Sequence, residues 1–144
     1  MTGKFVVGFD GSETAQRALD FATERAIAQG GTIVIAYVLE WSPYSFLTPQ
    51  EIEERSQRRK EELARAESAI ITPSRRAAEA KGAKVETIMR YGHIAEILCE
   101  IADAPDVAQV FIGRNGRSTL GSRVFGSVAG HLVQASPVPC TIVP

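Results

Sequence analysis

Apolar runs rich in β-branched residues alternate along this chain with segments of helical periodicity, and that alternation narrows the fold more than any other feature. "KFVVGF", ending at Phe9, is apolar on both faces, as a central parallel strand must be. After "DGSE", Ala15, Ala18, Leu19, Ala22 and Ala26 recur at helical spacing until Gly30 and Gly31 end the pattern. "TIVIAYVL" (Thr32–Leu39) reads as a second buried strand. Strictly alternating strands and helices imply an α/β fold with an open parallel sheet, joined by right-handed crossovers.

The alternation continues along the rest of the chain. "EWSPYSFL" is a loop with three aromatics, and Thr48-Pro49-Gln50-Glu51 is a helix start: Thr48 caps, Pro49 suits the first position and Glu51 completes a capping box. The charged stretch that follows runs to Ala80, with Pro73 expected to kink or interrupt it. Its Glu51/Arg55, Glu54/Arg58 and Glu61/Arg65 spacings suit pairs one turn apart on a solvated face. "AKVETIMR" reads as a strand nearer the sheet edge. "HIAEILCEIA" carries the helical stripe Ile94, Ile97, Leu98 and Ile101. "VAQVFIG" is the fourth strand and "CTIVP" the fifth. Between them a helix is expected over about Ser122–Ser136, with Val124, Phe125, Val128, Ala129, Leu132 and Val133 facing inward.

With 144 residues, 44% of them hydrophobic, the chain has the size and core of one domain. A net charge of −1 gives no global attraction to nucleic acid or to an acidic membrane. The two cysteines, Cys99 and Cys140, each stand beside apolar residues and read as reduced core thiols rather than a disulfide or metal pair. The opening "MTGKFVVGFDG" lacks a signal-type apolar region, and no apolar run approaches spanning length. The expectation is a cytoplasmic protein with no direct membrane insertion.

Chemistry concentrates in two loops. "IGRNGRSTLGSRVFGSVAGHLVQ" (112–134) is rich in glycine yet opens into a helix pattern. Glycines let backbone N–H groups approach a ligand, and free N–H groups at a helix start favour phosphate. Ser122 or Ser127 can add a hydroxyl, and Arg117 and Arg123 can add charge. The other loop is Asp10-Gly11-Ser12, after the first strand. Asp10 suits a ribose hydroxyl or a magnesium ion bridging phosphates. Each loop has a plain structural reading: Gly113 as a tight strand exit, Asp10 and Ser12 as caps of the first helix. Either loop alone reads equally as structure or as function. In an open parallel sheet, ligands bind beyond the carboxyl ends of the strands where strand order reverses. If the first and fourth strands are neighbours there, both loops face one crevice, and together they favour a nucleotide.

The chain has no G-x-x-x-x-G-K-S/T, no G-x-G-x-x-G and no G-x-S-x-G. His93 and His131 lie far apart, and no cluster has metal-ligand spacing.

The glycine-rich run also matches G-x2-G-x9-G-S/T through Gly113, Gly116, Gly126 and Ser127. With "VVGFDGSETAQRALDFA", "YGHIAEILCEIA" and "GSVAGHLVQASPVPCTIVP" around it, the chain resembles the ATP-binding branch of the universal stress protein family over its whole length. The resemblance implies a single nucleotide-binding domain over 1–144 and five parallel strands in the order 3-2-1-4-5. It implies Asp10 near the ribose and metal, Val38 offering backbone groups to adenine, and Gly113, Gly116, Gly126, Ser127 and Val128 cradling the phosphates of ATP. It further implies a homodimer through Cys140–Pro144 and a regulated protein partner such as a transporter. Arg114-Asn115 departs from the Thr-His or Ser-His that members often carry between the first two motif glycines.

The resulting expectation is an ATP-binding regulatory module, with magnesium on the phosphates. Two alternatives stand beside it. One is a slow ATPase or adenylyl-transferring enzyme, for which Asp10 is the only candidate base and its position fits binding better. The other is an interaction protein without nucleotide.

Overall fold

The computed structural model describes residues 3–40, 48–115 and 127–144. Five parallel strands form one sheet: β1 (Lys4–Gly8), β2 (Thr32–Glu40), β3 (Lys84–Gly92), β4 (Val107–Gly113) and β5 (Cys140–Val143). Their order is β3-β2-β1-β4-β5, as the family resemblance implied. β1 is central: Val6 stands opposite Val34 of β2 and Val110 of β4.

The helices are α1 (Glu13–Gln29), α2 (Pro49–Ala66), α3 (Thr72–Ala80), α4 (Ile94–Ala102) and α5 (Ser127–Ala135). Period-two alternation sends strand side chains to two cores. Phe5, Val7, Ile33, Ile35 and Phe111 pack with α1 and with Ala78 of α3 on one face. Val6, Val34, Ala36, Val110 and Ile112 pack with α4 and α5 on the other. All five apolar α1 positions read from the sequence are buried. Thr23, also buried on that face, donates its hydroxyl to the Leu19 carbonyl at 2.7 Å, which satisfies it within its own helix.

Thr48 caps α2 as expected, accepting from the Glu51 N–H at 3.2 Å, with Pro49 in the first turn. The expected interruption at Pro73 takes the form of a π-turn over Glu67–Ile71, which leads into α3. Pro73 has no N–H to give. The wider turn, closed by the Thr72 N–H on the Glu67 carbonyl, carries the chain past it while keeping Ile71 buried.

β3 continues through Tyr91 and Gly92, two residues beyond the strand read from sequence, because β2 pairs with it as far as Glu40. The expected helix over Ser122–Ser136 is described from Ser127 onward; Val124 and Phe125 lie outside the described residues. Val133 does not face inward: it is 59% exposed. On α5, Val128 and Val133 flank the buried Ala129–Leu132 line on opposite sides. The Val128 side packs into the cluster that includes Ile94 and Ile97, and the Val133 side faces solvent.

Candidate functional site

The strand order reverses between β1 and β4, so the chain leaves their carboxyl ends in opposite directions and opens a crevice there. After β1, Asp10-Gly11-Ser12 turns the chain into α1. The Asp10 carboxylate accepts the Ser12 N–H at 2.8 Å, and Gly11 takes φ +79°, a left-handed conformation that suits glycine. Ser12 is the N-cap of α1, its hydroxyl accepting from Ala15 N–H at 3.2 Å. The capping role belongs to Ser12; Asp10 instead holds the Ser12 N–H, and both residues border the crevice.

The two loops meet at Thr14. A Cβ on Gly113 would stand 2.7 Å from Thr14 Oγ1 and 2.8 Å from its carbonyl carbon. The Thr14 hydroxyl donates to the Asn115 carbonyl. The Arg114 N–H bonds the Val143 carbonyl at 2.8 Å, which ties the β4 exit to β5. Gly113 is thus both a tight strand exit and a lining residue.

Beyond these strand ends lies a cleft of about 280 Å³. Gly8 and Ile112 line it beside the Asp10 loop. Val38 and Glu40 border it from β2, Ile94 and Leu98 from α4. Arg114 and Asn115 border it from the β4 exit, Ser127 and Val128 from the start of α5. Of the residues expected from sequence, Asp10, Ser12, Val38, Gly113, Ser127 and Val128 line the cleft, and Gly11 does not. Gly116, Arg117, Ser122, Arg123 and Gly126 lie outside the described residues.

The lining also includes residues that sequence reasoning did not assign. Glu40 shares the face of Val38, two residues on, a relation that strand periodicity makes legible. Ile94 and Leu98 were read as core, and they serve both the core and the cleft wall. Asp10, Glu40 and Arg114 are the charged residues among the described lining, and the Arg114 Nε is buried with no hydrogen-bond partner among the described residues. Among the described residues no group of three or more His, Cys, Asp or Glu is arranged to hold a metal ion. No described helix is long and apolar enough to cross a membrane.

Neither thiol belongs to the cleft lining; burial raises both above the ordinary thiol range.

The model of the universal stress protein family matches residues 1–144. The chain belongs to the universal stress protein family. Universal stress protein YxiE of Bacillus subtilis (strain 168) is 30% identical, with 99% of each chain covered. Among solved structures of the family, universal stress protein UspA from Lactobacillus plantarum superposes with a TM-score of 0.87 at 21% identity, over 99% of this chain and 97% of that one. A universal stress protein solved in complex with cAMP superposes with a TM-score of 0.70 at 26% identity, over 99% and 96%.

Proposed function

We propose that this universal stress protein is an adenine-nucleotide-binding regulatory module. The nucleotide lies between the Asp10 loop and the Gly113–Ser127 loop, and its state is passed on through dimer or partner contacts. The observation that carries this reading is the cleft at the β1/β4 reversal, where the half-buried Arg114, the first described residues of α5 and two strand-end loops converge. The relative bound to cAMP supports it. In this reading Val38 offers its backbone to the base, with Ile94 and Leu98 forming an apolar wall. Asp10 and Ser12 stand beside the ribose. Gly113, Gly116, Arg117, Gly126, Ser127 and Val128 surround the phosphates of ATP. Magnesium would enter with those phosphates, with Asp10 as its proposed carboxylate partner. The identity of any nucleotide that co-purifies with the chain is the direct test of the ligand class.

The phosphate end is tested by Gly126→Val. Gly126 directly precedes Ser127, the first residue of α5, and the motif reading brings phosphate close to the backbone there. A valine side chain would occupy that space. ATP affinity should fall at least about tenfold, ~1.4 kcal/mol, with the apo melting temperature held or raised. Gly130→Val is the control: a Cβ there meets nothing within 4 Å among the described residues, and affinity should stay unchanged. Normal ATP binding by Gly126→Val would remove the phosphate from this end of the cleft, and a variant that simply unfolds would assign the glycine to packing.

The dimer is proposed along β5, which lies at the sheet edge. The Val143 and Pro139 carbonyls bond to β4, so alternation turns the Cys140 and Ile142 N–H groups outward. An open edge of this kind invites pairing, and Pro144, with no N–H, ends the ladder. Sedimentation should give a dimer at tens of micromolar, and Ile142→Pro should shift it toward monomer. A wild-type monomer at that concentration would contradict the interface.

A further inference from the structure

The charges of the cleft are distributed unevenly, and this has a consequence for how a phosphate is neutralised there. Glu40 stands at the end of β2, Asp10 just past β1 and Arg114 just past β4. Because the strands are ordered β2-β1-β4, the described lining runs from negative to positive across the cleft. An anion is repelled from the β2 side and drawn to the side that holds Arg114 and the first residues of α5.

Arg114 is also set up for a ligand. Its backbone is committed, the N–H bonding the Val143 carbonyl. Its Nε is buried and has no hydrogen-bond partner among the described residues. A buried guanidinium donor left unpaired is unfavourable; turned into the cleft that Arg114 lines, it can meet a phosphate oxygen, the acceptor that best matches a guanidinium in charge and planar geometry. Asp10, by contrast, already accepts the Ser12 N–H.

We infer that Arg114 contacts the phosphate of the bound nucleotide and supplies positive charge that a divalent cation would otherwise bring, so that nucleotide binding persists without metal. This rests on the nucleotide reading of the cleft. Magnesium bound to the phosphates is compatible with the site and contributes little to affinity while Arg114 is present.

The experiment is a titration of the full chain, stripped of any co-purified nucleotide, with ADP and with ATP in two buffers, one containing millimolar Mg²⁺ and one containing EDTA. Wild-type affinity should change by less than about threefold between buffers, whereas Arg114→Gln should lose about tenfold or more in EDTA and recover part of it with Mg²⁺. Arg114→Lys keeps the charge and loses the guanidinium donor, so it should fall between the two. Apo melting temperatures establish that the variants are folded, and Arg114→Lys carries the test if Arg114→Gln is not. Wild-type binding abolished by EDTA, or folded Arg114 variants that bind as wild type in EDTA, would overturn the inference and leave the nucleotide reading standing. Absence of nucleotide binding by wild type in both buffers would overturn the functional reading and this inference with it.

Discussion

Gly113→Ala should destabilise the protein by about 2–3 kcal/mol, the upper part of the range for overpacking. The added Cβ would stand 2.8 Å from both the carbonyl carbon and the Cβ of Thr14 and 2.7 Å from its hydroxyl oxygen. Real side chains do not approach a backbone carbon that closely, and the backbone of α1 cannot rotate aside as a flexible side-chain tip can. The first turn of α1 must therefore move off the end of β4, and the Thr14 hydroxyl loses its bond to the Asn115 carbonyl. Both loops of the cleft are displaced by the same shift, so nucleotide affinity should fall together with stability. Gly130→Ala is the contrast: the methyl meets nothing among the described residues, and replacing a helical glycine should stabilise by about 0.5–1 kcal/mol. Urea denaturation checks both, as a change in midpoint at unchanged slope. Wild-type stability in Gly113→Ala would mean that α1 and β4 are not pressed together at the cleft.

Phe111→Ala should be more damaging, at about 3–5 kcal/mol. Its side chain is fully buried at the centre of β4, under α1. It meets Phe5 edge-on at 5.9 Å between ring centroids and Phe21 at 6.0 Å with a tilt of 54°. Truncation removes the transfer term of a large ring and leaves a cavity between the sheet and a helix that is tethered at both ends. Against a total stability of about 5–15 kcal/mol for an ordinary domain, that is a large share, equivalent to roughly 10 °C in melting temperature. Phe21→Ala should cost clearly less, because Phe21 is already 37% exposed. Thermal unfolding followed by circular dichroism checks the pair. Equal losses at the two positions would contradict the described packing of Phe111.

What the sequence made legible followed from periodicity. The α1 stripe from Ala15 to Ala26 and the continuous apolar runs of β1 and β2 specify their partners through spacing alone, and they appear where they were read. Strand order has no such local signal, since any parallel arrangement satisfies the same runs; the family resemblance supplied it. The limits of the reading are local competitions. Val133 obeys helical spacing and stays exposed, because spacing locates a stripe and not its width. β3 outlasts its own alternation because β2 offers partners as far as Glu40. In the site, Asp10, Ser12 and Gly113 could be picked out because polar and glycine residues directly follow two apolar strand runs. Glu40 shares the face of Val38 by strand periodicity, but a glutamate ending a strand is ordinary until the strand beside it shows what lies beyond. Arg114 was visible only as a departure from the family pattern; its buried Nε is a fact of packing.

The central claim is that the cleft beyond β1 and β4 takes an adenine nucleotide, and calorimetric titration of the nucleotide-stripped chain with ATP, ADP, AMP and cAMP tests it most directly. The expected result is saturable binding of the forms with two or three phosphates in the micromolar range, about −7 to −9 kcal/mol. The absence of heat with every nucleotide, and of competition at millimolar ATP, would contradict it.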